Sequence, residues 1–231
     1  DSGGGVSKGN LSVARYGLAG VGNQSYGYMT GGQSKSTVDR IDYSSDTTEA
    51  SPKGPLASAR YGHGATGNSN YGYVAGGYPE NVTGTTIQRI DYASDTGTTS
   101  PKGTMSKSKY FTTATGSGDY GYIAGGREQH DPGQTDFSSS STVERIDFSN
   151  DTAAAAPKGP LAFATRQSGG VSARMNGLPN TADGSEATGG SVSNHGYFTG
   201  GAYPSVSSEK STIDRIDFTN DTATASPKGN L

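Results

Sequence analysis

The chain has 231 residues, a formal net charge of −3, and only 29% hydrophobic and 17% charged residues. It has no cysteine, which excludes disulfides and thiolate metal sites. It also lacks the basic block of a nucleic-acid surface and the ~18-residue apolar run of a membrane-spanning helix.

In chain order, the opening DSGGGVSKGN reads as neither a signal peptide nor a translation start, and suggests a processed chain or a fragment. Three landmarks then recur. YGYMTGG, YGYVAGG, YGYIAGG and HGYFTGG begin at Tyr26, Tyr71, Tyr120 and His195. RIDYSSDT, RIDYASDT, RIDFSNDT and RIDFTNDT begin at Arg40, Arg89, Arg145 and Arg215. PKG begins at Pro52, Pro101, Pro157 and Pro227, with a variant SKG at Ser7.

Arg to Pro is 12 residues in all four copies. From the PKG or SKG glycine to the aromatic pair is 17 residues in three copies and 36 in the fourth. From Gly-Gly to Arg the spacing varies: 8, 12, 19 and 14. Two segments are therefore rigid, and insertions fall in loops, as in stacked supersecondary units.

Each unit reads as four strands. In the second copy these are LASARYGHGATG, YGYVAGG, TTIQRIDY and TGTTSPKG. Tyr71 and Tyr73 share a face of the second strand, and Ile90 and Tyr92 a face of the third. The proline-ended fourth strand suits an outer edge. DYSSDT predicts a hairpin turn whose Asp side chains bond nearby backbone N–H groups.

Arg-containing, aromatic-Gly-Gly and aromatic-Asp strands in this order resemble the kelch repeat, without its usual Trp and with Asp-aromatic in place of aromatic-Asp. The resemblance implies an all-β fold, a four-bladed β-propeller of four-stranded antiparallel blades. The blades would span about 7–51, 52–100, 101–156 and 157–231, with an insertion around 167–193 that includes Arg174, Met175 and Asn176. SKGNL at the start repeats in SPKGNL at the end, so the ring would close in repeat phase. Small residues of the first strands, among them Gly62, Gly64 and Ala114, would line the axis. Tyr28, Tyr73, Tyr122 and Tyr197, with Tyr43, Tyr92, Phe148 and Phe218, would be buried between blades. The alternative is a larger ring completed by further sequence or another chain.

The pairs Arg40–Asp42, Arg89–Asp91, Arg145–Asp147 and Arg215–Asp217 lie two apart and share a strand face. A catalytic motif is needed once; four copies indicate structural charge pairs or turn anchors. Asp42 with Asp46, and each counterpart, offers two carboxylates, which is short of a calcium loop and reads as a turn. DTGTT at Asp95–Thr99 resembles part of the sialidase Asp-box, itself a structural hairpin. His63, His130 and His195 occupy different unit positions and predict no metal site. The kelch-propeller copper oxidases need a cysteine–tyrosine crosslink that this chain cannot make. No nucleophile–base set stands out, so neither catalysis nor a cofactor is expected.

What differs between units lies in the second-to-third connections: QSKS, YPENVTG, REQHDPGQTDFSSS and AYPSVSSEK. They place Tyr78, Glu80, Arg127, Glu128, His130, Asp131, Tyr203 and Lys210 on one face, a mixture suited to carbohydrate or protein contacts. The repeat wording resembles that of structural proteins of marine bacteriophages. It implies a non-enzymatic virion-associated module (tail, fibre or capsid appendage), partnered by other virion proteins or a host-surface receptor or glycan. The alternative is a secreted or cell-surface lectin-like propeller. Both place the protein on a virion surface or outside cells.

Overall fold

The computed structural model describes residues 5, 7–45, 47–129, 137–172, 194–202, 209 and 211–231. Four antiparallel sheets of four strands follow one another, each a simple meander in chain order. Sheet one holds Ala19–Gly22, Tyr26–Thr30, Val38–Asp42 and Ser51–Pro52. Sheet two holds Gly64–Gly67, Tyr71–Ala75, Thr86–Asp91 and Ser100–Thr104. Sheet three holds Thr113–Gly116, Tyr120–Ala124, Val143–Asp147 and Ala156–Lys158. Sheet four holds Gly169–Ser172, His195–Thr199, Thr212–Asp217 and Ser226–Asn230. A fifth, three-stranded sheet joins Phe137–Ser139, Arg127–Gln129 and Lys109–Tyr110. Among the described residues the α-helical content is one turn, Glu80–Thr83.

Local chemistry sets the strand ends. The second strands stop at Gly-Gly pairs with positive φ, as at Gly76 (+71°) and Gly77 (+114°), a backbone region that L side chains rarely adopt. The third strand stops at Asp91, where the sequence reading had continued it through Tyr92. The Asp91 carboxylate accepts the Ala93 N–H and caps a 3-10 turn, Tyr92–Ser94. Asp42, Asp147 and Asp217 accept the N–H of Ser44, Ser149 and Thr219 in the same way. The first strand is also shorter than the sequence suggests. Gly62 (φ +64°) turns the chain, and regular pairing in sheet two begins at Gly64.

The core lies between sheets, in three slabs. One holds Tyr28, Val74 and Tyr92, the next Tyr73, Ile123 and Phe148, the third Tyr122, Phe198 and Ile216. Tyr28 stacks on Tyr92 (ring centroids 4.9 Å apart), Tyr73 on Phe148 (4.8 Å) and Tyr122 on Phe218 (5.0 Å). Each pair contributes ~0.5–1.5 kcal/mol beyond its buried area. The stack also explains the glycine of the aromatic pair. A Cβ on Gly72 would lie 2.8 Å from the Tyr92 hydroxyl and 2.9 Å from Val21 of sheet one. At Gly196 it would lie 2.8 Å from Phe218 and 2.7 Å from Thr115 of sheet three.

First strands pack one on two, two on three and three on four, and among the described residues no equivalent packing joins four to one. The closed four-bladed ring of the sequence reading is therefore corrected to an open series. Its two end faces leave exposed side chains that the joints bury elsewhere: Tyr43 is 52% and Val171 54% exposed, whereas Tyr92 and Val21 at the equivalent positions are buried. Tyr197 is likewise only half-buried, where Tyr28, Tyr73 and Tyr122 are fully buried.

Candidate functional site

Most of the repeated polar residues are consumed by the joints between sheets. Tyr28, Tyr73 and Tyr122 lie opposite Arg40, Arg89 and Arg145 in the pairing of second and third strands. Each tyrosine and its arginine therefore project together toward the next sheet. There the Tyr28 hydroxyl donates to Asp95 at 2.9 Å, and Arg40 pairs with the same carboxylate at 2.8 Å. Lys53 of PKG approaches it at 3.6 Å. Asp151 receives Tyr73, Arg89 and Lys102, and Asp221 receives Tyr122, Arg145 and Lys158. Each of these arginines also lies over a second tyrosine, Tyr26, Tyr71 or Tyr120, at 4.1–4.2 Å.

Two sequence expectations change here. The Arg and Asp of one RID do not pair with each other: Arg40, Arg89 and Arg145 reach the next sheet, while the Asp caps its own turn as a turn anchor. The second Asp of each hairpin, at Asp95, Asp151 and Asp221, is a joint between sheets rather than a local turn anchor. Burial opposes ionisation of Asp151, and the Tyr73 hydroxyl, Lys102 and Arg89 outweigh it, holding the carboxyl below its ordinary range. Asp221 is held down likewise by Lys158, Tyr122 and Arg145. Burial raises the three tyrosine hydroxyls, with their Asp partners adding to it.

With the joints accounted for, one face remains. Immediately before each first strand the chain reads Arg15-Tyr16-Gly17, Arg60-Tyr61-Gly62, Lys109-Tyr110-Phe111 and Thr165-Arg166-Gln167. The third residue of each has positive φ, between +55° and +67°. The turn exposes ring faces, and all four units contribute to a hollow of about 360 Å³ lined by Tyr16, Tyr61, His63, Phe111 and Gln167 among others. Tyr61 sits at its centre, with ring centroids 6.2 Å from Tyr16, 6.1 Å from Phe111 and 5.1 Å from Tyr78. Tyr78 also lies 5.9 Å from Tyr110, over which the Arg127 guanidinium sits at 5.5 Å.

Buried acceptors border this aromatic surface. Thr30 donates its hydroxyl hydrogen to the Ala19 carbonyl at 3.0 Å, so its oxygen accepts from His63 Nε2–H at 2.9 Å. His63 Nδ1 is then a lone-pair acceptor without a partner among the described residues. Burial, helped by the Arg60 charge, pushes the imidazole down to about 3, so it stays neutral. Glu80 Oε2 is likewise buried and unpartnered. Burial raises the Tyr61 hydroxyl, with the neighbouring tyrosines and Glu80 adding to the effect, and raises the Tyr110 hydroxyl against the opposing charges of Arg127 and Arg166.

Of the residues picked from the sequence, Tyr78, Glu80 and Arg127 meet at this face. Glu128 does not serve it: its carboxylate accepts from Ser140 and Thr142 and lies 3.9 Å from buried Lys109. His130, Asp131, Tyr203 and Lys210 lie outside the described residues, as do Arg174, Met175 and Asn176. The sequence reading missed Tyr16, Tyr61, Tyr110 and Phe111. The available signal was an aromatic residue recurring after Arg or Lys, three times in four units.

No family model matches the chain, and no curated protein matches it. Among solved structures, one described as the structure of YjhT superposes with a TM-score of 0.72 at 11% sequence identity. The match covers 96% of this chain and 66% of that one, so the chain spans about two thirds of its structural neighbour. At that identity the likeness is one of fold.

Proposed function

We propose that the chain is a non-enzymatic binding module built of propeller-type blades, carried on a phage virion, that grips a host-surface glycan through its aromatic face. The observation that carries this reading is the surface around Tyr61, where aromatic rings of three units border a hollow to which Gln167 adds a polar group. Sugar rings offer apolar C–H faces to aromatic stacking, and their hydroxyls bond to exposed polar side chains of the hollow such as Gln167. Arg127 adds a donor at the rim. The virion setting rests on the resemblance of the repeat wording to marine bacteriophage structural proteins. A secreted lectin-like module is the second reading, favoured by the same aromatic surface and differing only in where the protein resides.

Polysaccharide prepared from host cell envelopes and immobilised should retain the purified chain and release a folded Tyr16→Ala/Tyr61→Ala variant. Equal retention of both would reject the face. Density-gradient fractionation of the native source separates the two settings. Co-sedimentation with intact particles supports the virion reading, and recovery only as free protein beside particles lacking it rejects that reading.

A further inference from the structure

The three joints between sheets follow one rule, and the two end faces carry its two unmatched halves. On the giving side of each joint are a tyrosine and an arginine, and a knob from the first strand: Val21, Thr66 or Thr115 packs on the glycines of the following sheet. On the receiving side are those glycines, an aromatic ring after Asp, and the hairpin carboxylate. Sheet four presents a complete giving side with nothing against it. Val171 is 54% exposed, and no carboxylate among the described residues lies within ion-pair distance of Arg215. The Tyr197 hydroxyl has no hydrogen-bond partner among them either, and a Cβ on Gly229 would meet no atom within 4 Å. Sheet one presents the receiving side. The Tyr43 ring lies across Gly27 and is uncovered on its outer face. The sequence supplies the matching acid at Asp46, which lies outside the described residues.

We propose that sheet four of one copy docks on sheet one of a second copy, head to tail, repeating the internal joint. Tyr197 then stacks on Tyr43, Val171 seats beside Gly22 and Gly27, and Arg215 meets the receiving face of sheet one. Continuity with an interface the chain already makes three times selects this occupant. The outer groove of sheet one is already lined by the chain's own Ser7–Leu11. There Asn10 accepts the Ala50 N–H, as Pro55 accepts that of Thr99 and Pro160 that of Ala225 in later units. That segment, SKGNL, has the same last four residues as the incoming SPKGNL at Ser226–Leu231. Docking exchanges one KGNL for the other and adds the tyrosine, arginine and valine that the short segment lacks.

Sedimentation analysis of the full chain over a concentration series tests this. The wild type should exceed the mass of one chain as concentration rises. Tyr43→Ala and Arg215→Ala change side chains that hold no joint within the chain, so each should fold normally and remain monomeric alone. Mixed in equal amounts, they should form a two-chain species and nothing larger, because each retains the face the other lacks. Removing residues 1–10 should tighten wild-type association. A wild type monomeric throughout would overturn the proposal. So would single variants that still associate, a mixture that stays monomeric, or a truncation that leaves association unchanged or weaker.

Discussion

The Tyr73 hydroxyl of sheet two donates to the Asp151 carboxylate of sheet three at 2.9 Å, while the Tyr73 ring stacks on Phe148 at 4.8 Å. One side chain thus supplies both the apolar and the polar half of a joint. Tyr73→Phe should keep the stack and lose the hydrogen bond, leaving a buried carboxylate oxygen short of a donor. The expected cost is about 1–2 kcal/mol in urea unfolding. Tyr28→Phe and Tyr122→Phe should cost similar amounts. Tyr197→Phe, measured at a concentration where the chain is monomeric, should cost nothing measurable.

Acids on the same scaffold should respond to pH with opposite sign. Asp151 and Asp221 have depressed folded values, so their stabilisation is full above the unfolded carboxylate value of ~3.9 and is lost as pH falls through the folded values. Burial raises Asp214, partly offset by the N–H groups of Ala162 and Phe163, so its ionised form costs stability as pH rises through that raised value. Asp214→Asn should therefore raise the urea midpoint at pH 7 and leave it unchanged near pH 3. Asp151→Asn should lower it at pH 7 and converge on the wild type in acid.

The all-β run of repeated antiparallel sheets was legible in the sequence because each joint reuses one set of residue types at one spacing. Rigid spacing identified the strands, and Tyr28, Tyr73 and Tyr122 are buried between sheets as expected. Closure was not legible. Tyr43 and Tyr92 occupy the same repeat position, and only the neighbour in space makes one exposed and the other buried. The role of Asp95 was hidden for a related reason. A hairpin carboxylate looks local until the following sheet is set against the preceding one, when Tyr28, Arg40 and Lys53 arrive from outside. For the candidate site, loop variability pointed to Tyr78, Glu80 and Arg127. The central ring, Tyr61, lay in a segment read as axis-lining small residues.

Glycine substitutions offer a graded test of the joints. A methyl group on Gly121 would collide with Thr66 of sheet two and lie 3.0 Å from Phe148. Gly121→Ala should destabilise the chain by about 1–3 kcal/mol through overpacking. Gly97 has open space around its Cβ position and no positive φ. Gly97→Ala should be neutral or stabilising by up to about 1 kcal/mol. Thermal unfolding of the two variants side by side checks both.

Arg60 and Lys109 hold equivalent positions in sheets two and three, yet their charges are met differently. Lys109 pairs with Glu144 at 2.8 Å, whereas fully buried Arg60 bonds the Gly76 carbonyl and the Thr86 hydroxyl, with Gln88 standing where Glu144 stands. Burial alone pushes Arg60 down to about 10. Glu144→Gln removes the close carboxylate of Lys109, leaving Glu128 at 3.9 Å, and should cost about 3 kcal/mol. Gln88→Ala leaves the Arg60 bonds in place and should cost less, a difference that urea titration resolves.

If the rings around Tyr61 form a sugar-binding face, calorimetric titration of an oligosaccharide released from the host envelope is the most direct test. The wild type should bind it saturably, and binding should weaken at least about tenfold, or ~1.4 kcal/mol, in a folded Tyr61→Ala variant. Identical isotherms for the two proteins, or no heat from either across a panel of host glycans, would contradict it.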